Sequence, residues 1–254
     1  MPRAAVWGVL VALALPAFGC GDDDGGGGEG SSKELDQLVA AMEAVTGTPT
    51  RIQFEMRADP DRGAGLEMSG PGEMLGNRAR MRLRYEEAGE TVVIEVIQHE
   101  DVAWLRNASF EGLLPAGKSW IRSSDPAIIG GGTLTPAQYG DLIREKGQVE
   151  DLGRERLDGS PARHLRATVD MSDLGEKAGA AGVLRAMDGT DIEIPVDVWI
   201  GPDDRPVRIY MEIEVPDQAG GGQAMVDMTD FEYDVPVDLA PPPADTVTDD
   251  SVLE

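Results

Sequence analysis

A period-two alternation of apolar and charged residues recurs along this chain and constrains its fold more than any other feature. Over Asn77–Glu86, Ala79, Met81, Leu83 and Tyr85 interleave with Arg78, Arg80, Arg82 and Arg84. Successive side chains of an extended strand point to opposite faces, so this run predicts a strand with one dry and one wet face. Thr50–Asp59 has the same form, with Ile52, Phe54 and Met56 opposing Arg51, Gln53, Glu55 and Arg57. Thr91–His99 and Val102–Arg106 continue it. Further on, Ile192, Ile194, Val196, Val198 and Ile200 oppose Glu193, Asp197 and Trp199. Val207, Ile209, Met211, Ile213 and Val215 then oppose Arg208, Tyr210, Glu212 and Glu214, and Gln223–Tyr233 reads as a last, edge strand. Turn residues separate the runs at Asp59–Gly63, Glu87–Gly89 and Gly201–Arg205, which favours an antiparallel meander.

A single sheet cannot close its own apolar face, so helices must cover it. Lys33–Thr46 carries Leu35, Leu38, Val39, Met42 and Val45 on one helical face, with Ser31 or Ser32 as its cap. Thr135-Pro136 opens a second helix through Lys146. Asp170–Met187 predicts a third, with Leu174, Ala178, Ala181, Val183 and Leu184 apolar. Its Gly175, Gly179 and Gly182 each lower helix stability by about 1 kcal/mol relative to alanine. The expected class is α+β, one strongly curved antiparallel sheet with a few helices on its concave face. Incomplete cover would leave a hydrophobic cavity between sheet and helices.

The N-terminus reads in three parts. Arg3 is followed by the apolar run Ala4–Leu15, too short for a bilayer span of roughly 20 residues but suited to a signal peptide. Ala17-Phe18-Gly19-Cys20 then resembles a lipobox, with Ala17 where that pattern prefers leucine. In such a motif the thiol receives a diacylglyceryl group and becomes the new N-terminus, an anchor to which each buried CH₂ contributes about 0.8 kcal/mol. Gly21–Ser32 is glycine and like charge, a self-repelling tether spanning about 20 Å. The expected division is 1–19 signal peptide, 20–32 lipidated cysteine and tether, 33–249 folded domain and 250–254 tail. Cys20 is the chain's one cysteine, so no intramolecular disulfide forms. A formal charge of −25 repels nucleic acid and keeps the body soluble.

Catalytic patterns are missing from the sequence. His99 and His164 lie far apart, and Gln98-His99-Glu100-Asp101-Val102 is not a zinc-binding helix motif, so both read as structural or surface residues. There is no G-x-S-x-G elbow, and Gly130-Gly131-Gly132 lacks the lysine of a phosphate loop. Expected catalytic residues, metal ligands and cofactors are therefore none, apart from the covalent diacylglycerol on Cys20.

Several segments in order resemble the LppX/LprA/LprF/LprG family of actinobacterial lipoproteins. They are Gly117-Lys118-Ser119-Trp120-Ile121, the stretch Leu157–Asp170, Ile194-Pro195-Val196-Asp197-Val198-Trp199-Ile200-Gly201-Pro202-Asp203-Asp204-Arg205-Pro206-Val207-Arg208, and the tail from Met228-Thr229-Asp230-Phe231 through Ala240-Pro241-Pro242-Pro243-Ala244-Asp245. The resemblance implies a half-barrel with helices on its concave side, like periplasmic lipoprotein carriers. It also implies binding of acylated lipid or glycolipid, carriage within the envelope, and a place on the extracytoplasmic membrane face. Methionine adapts to variable chains, so the candidate cavity residues are Ile52, Phe54, Met56, Met81, Leu83, Val198, Ile209, Met211 and Met228. Expected partners are the membrane through the anchor, the lipid ligand and an envelope lipid transporter, with the chain monomeric. The competing reading is a regulatory lipoprotein with a filled core. On this reading mass spectrometry of protein from native membranes finds an N-terminal diacylated Cys20. Cleavage elsewhere would contradict it.

Overall fold

The computed structural model describes residues 30–59, 61, 65–99, 102–110, 112–124, 140, 143–144, 147–170, 193–214 and 221–253. Its core is a 12-stranded sheet and one long helix, α1 (Gly30–Gly47). The strands are β1 (Thr50–Asp59), β2 (Leu66–Leu75), β3 (Arg78–Glu87), β4 (Glu90–His99), β5 (Val102–Asn107), β6 (Trp120–Ser123), β7 (Gly147–Leu157), β8 (Ser160–Asp170), β9 (Glu193–Ile200), β10 (Pro206–Glu214), β11 (Gln223–Tyr233) and β12 (Val247–Asp249). Two antiparallel meanders, β1 to β6 and β7 to β11, are joined by antiparallel pairing of β1 with β11. β11 is therefore central rather than at an edge: β1 and β10 flank it, because the first strand of one meander needs the last strand of the other as partner.

The alternation holds in register. Ile52 and Phe54 share a face with Gly72 and Gly70 of β2, Phe54 faces Met228, and Met228 faces Ile209. This inward face lies under α1, whose Leu38, Met42 and Val45 are fully buried against it. The helix begins at Gly30, inside the stretch expected to be tether, so Ser31 and Ser32 lie within its first turn instead of capping it. It runs along one end of the strands, called the near end below. Its first turns meet Arg163 at the start of β8, and the Thr46 carbonyl accepts the Gly76 N–H from the β2–β3 turn at 2.8 Å. Of the second expected helix, the described Gly140, Ile143 and Arg144 are helical, and Ile143 is buried in the same core. The third falls on residues 171–187, outside the described residues, while Asp170 ends β8.

The alternation does not reveal β2, β6, β7, β8 or β12; in β2, Gly70-Pro71-Gly72 interrupts it. Proline lacks a ladder donor, and the glycines have no side chain to pack. Here close approach requires a glycine at 70 and makes the space at 72 tight. A Cβ on Gly70 would lie 2.0 Å from the Arg82 carbonyl oxygen, and one on Gly72 would lie 3.0 Å from Ile52.

The C-terminal segment Asp234–Thr246 crosses the outward face from β11 to the far edge. Arg51 donates to the Pro236 carbonyl, the Asp238 N–H to Glu73, Arg80 to Asp238, and His99 to the Leu239 carbonyl, with Leu239 itself buried. Seven strand spacings separate β11 from β12, about 34 Å, and this length of polyproline-like chain reaches about 40 Å, so the strap has little slack. It ends with β12 pairing parallel to β6. Gly70→Ala should destabilise the protein by roughly 2–3 kcal/mol, because the clash is with backbone. Urea unfolding measures this, and a loss under 1 kcal/mol would contradict the close approach.

Candidate functional site: the inward face of the sheet

All nine candidate cavity residues fall on the inward face, and their burial differs. Ile52, Phe54, Leu83, Val198, Ile209, Met211 and Met228 are buried in one core with α1. Met56 and Met81 are only partly buried. Met56 belongs with Tyr85, Ile94, Ile213 and Val226, partly buried residues displaced toward the strand ends opposite α1, whereas Met81 lies level with Ile52 across Gly72. Met56 faces Val226, Val226 faces Met211, and Leu83 faces Ile94, which makes the set a continuous apolar tract. The same stripes that α1 seals at the near end are unevenly covered at the far end, where Met56, Ile213 and Val226 are partly exposed but Met68, Val169 and Ile194 are buried. Each partly exposed methionine or aliphatic side chain leaves apolar area in water, at about 25 cal/mol per Å².

A polar cluster borders this tract. The Tyr85 hydroxyl, on β3, donates to Glu87 at 3.2 Å, and the Asn107 and Ser109 side chains from the end of β5 reach the same hydroxyl. Asn107 Oδ1 accepts the Ser109 N–H at 2.9 Å. Burial pushes the Tyr85 phenol above its ordinary value, and the Glu87 charge adds to this. The alternation marks Tyr85 as inward-facing, but the convergence of Asn107 and Ser109 needs the β3–β4–β5 register and leaves no sequence signal.

The outward face is organised by ion pairs. Asp197, 6% exposed, accepts both guanidinium nitrogens of Arg166 at 2.9 Å and meets His164 Nε2 at 2.7 Å. His164 stacks on Trp199 at 4.2 Å, and Arg208 lies 4.9 Å from the Trp199 ring centroid while gripping Asp227 through two bonds. Hydrogen bonds to Asp197 and Asp227 hold the Arg166 and Arg208 guanidiniums further above their ordinary values. Both histidines are thereby structural: His164 sits within this network, and His99 packs edge-on to Trp104 beneath the strap.

A separate, polar groove of about 710 Å³ lies at the near end, between the outer side of α1 (Lys33, Gln37, Ala40, Ala44) and Arg163 with the Asp203–Arg205 turn. It contains none of the nine candidate residues. Arg163 is bonded to Glu34 at 3.0 Å, to Gln37, and to Asp151 at 2.8 Å.

No family model matches the chain. An uncharacterised 31.2 kDa protein of Streptomyces griseus is 28% identical over 151 residues, 52% of this chain and 48% of that protein, so the chain spans about half the length of the curated relative it matches. Two solved lipoprotein structures are similar to the chain. LppX of Mycobacterium tuberculosis is 15% identical, with 82% of this chain and 99% of that one covered and a TM-score of 0.46. LprF of Mycobacterium bovis is 12% identical, with 84% and 98% covered and a TM-score of 0.42.

Hydrogen bonding to Arg163 holds the Asp151 carboxyl below its ordinary value of 3.8. Because the folded value is the lower one, this contribution is present above about pH 3.8 and is lost as pH falls through the folded value. Asp151→Asn should flatten the acid limb of the stability–pH curve, read by circular dichroism. An unchanged acid limb would contradict the pairing.

Proposed function

We propose that this chain is a non-enzymatic lipoprotein of the extracytoplasmic membrane face, anchored through Cys20, that binds acyl lipid against the inward face of its sheet and carries it within the envelope. The observation that carries the reading is the uneven cover of that face. Residues beneath α1 are sealed, while a methionine-containing apolar set, Met56, Met81, Ile94, Ile213 and Val226, stays partly exposed beside buried Met68, Val169 and Ile194. Acyl chains need a flexible apolar lining that tolerates variable length and unsaturation, and methionine supplies it. Among the described residues no helix is long and apolar enough to cross a membrane, so the covalent anchor is the attachment this reading requires. A hydrophobic cargo exchanged with a membrane also suits an envelope lipid transporter as partner.

The burial of seven of the nine candidate residues favours a second reading, a regulatory lipoprotein whose core is filled and whose acidic surface meets an envelope protein. Organic extraction of the purified chain followed by mass spectrometry separates the two. The carrier reading predicts near-stoichiometric co-purifying acyl lipid, lost or reduced several-fold when Met56 and Val226 are both replaced by Asp. A lipid-free chain that also takes up no added lipid would support the regulatory reading instead.

A further inference from the structure

The charges of the sheet are sorted by face. Strand registers put Arg51, Arg80, Arg82, Arg106, Arg166 and Arg208 on the outward side, opposite or beside Glu73, Glu95, Asp197 and Asp227. On the inward side the register-placed arginines are Arg154, Arg156 and Arg163, all at the near end of the β7–β8 hairpin. Arg163 is committed to Glu34 and Asp151, and Arg154 adds its charge to the same aspartate. The far half of the inward face carries no lysine or arginine among the described strand residues. Its charged groups are acidic: Glu87 and Glu90, register partners at the β3–β4 turn.

An anionic head group brought to this end would lose hydration without gaining a counter-charge. It would also meet Glu87 and Glu90 on a chain of net charge −25. The polar groups that do border the apolar tract are a phenol, an amide and a hydroxyl: Tyr85, Asn107 and Ser109. These donate and accept hydrogen bonds without positive charge, which matches esters and hydroxyls rather than phosphate.

Resting on the lipid-binding reading above, we infer that the ligand is an acyl lipid with an uncharged, ester- or hydroxyl-bearing head group, held against a rim formed by Tyr85, Asn107 and Ser109. The acyl chains lie along Met81, Ile94 and Val226, and the head group replaces Glu87 or water as a partner of the Tyr85 hydroxyl. The sorting of arginines to the outer face then acts as a filter, because among the described strand residues of this far inward half an acidic lipid finds no cation and a neutral one needs none.

The test uses the full chain carrying Cys20→Ser, so that no covalent acyl group competes, after removal of endogenous lipid. It is offered an equimolar mixture of dioleoylglycerol and dioleoyl phosphatidic acid, identical in their chains and differing by the phosphate, with retained lipid quantified by mass spectrometry. The expected result is retention of the diacylglycerol by roughly tenfold or more over the phosphatidic acid. Tyr85→Phe should lower diacylglycerol retention about three- to tenfold while leaving uptake of a plain long-chain alkane unchanged, which separates loss of a rim contact from loss of fold. Equal or preferential retention of phosphatidic acid would overturn the inference and leave lipid binding standing. Retention of neither lipid would overturn the lipid-binding reading itself, and an unchanged Tyr85→Phe variant would overturn the rim.

Discussion

The structure depends on one constraint: a wide sheet with a dry face must find cover for that face. α1 supplies it for the strands from β7 to β2, with Leu38, Met42 and Val45 in one buried core with Ile52, Phe54 and Ile209. The helix interior is secured by burial, while its ends are tied by Glu34 to Arg163 and by Thr46 to Gly76. Joining the two meanders through β1 and β11 puts these two half-buried strands at the centre, beneath the helix. The strap closes the arrangement from outside, where consecutive prolines keep it extended without stranding backbone donors.

Most outward ion pairs are partly exposed and individually contribute little, on the order of 0–1 kcal/mol. The Asp197 network differs because its central carboxylate is buried and shared between Arg166 and His164. Its effect is as much positional as energetic, since it fixes β8, β9 and β10 in register on the outer side. Cations that would bind acidic ligands inside the curl are instead engaged outside it. That separation connects the architecture to the ligand chemistry.

Much of this was legible in the sequence, for physical reasons that differ by element. β1, β3, β4, β5, β10 and β11 are half-buried strands, so their alternation survives intact, and the α1 face Leu35–Val45 follows from helical spacing. β2 was hidden by Gly70-Pro71-Gly72, whose residues answer to backbone proximity rather than to a wet-or-dry pattern. β7 lies at an edge, carries a bulge between Asp151 and Gly153, and exposes charges on both sides, so the alternation is lost there. The hairpin it forms with β8 was not read from the sequence, although its tight turn rests on Asp158-Gly159, both at positive φ. The central place of β11 was not legible, because pairing between distant strands leaves no local mark. The nine cavity candidates shared a face as their alternation required, but their gradation from sealed to partly exposed depends on where α1 ends.

The central claim is that the far half of the inward face holds acyl chains. Its most direct measurement is photo-crosslinking of the lipid-free chain with a fatty acid bearing a diazirine near its methyl end, followed by peptide mapping of the labelled residues. The account predicts label concentrated on Met56, Met81, Ile94, Ile213 and Val226, which share that face. Label spread over the outward strands around Trp199 and Tyr210, or no label above background, would contradict it.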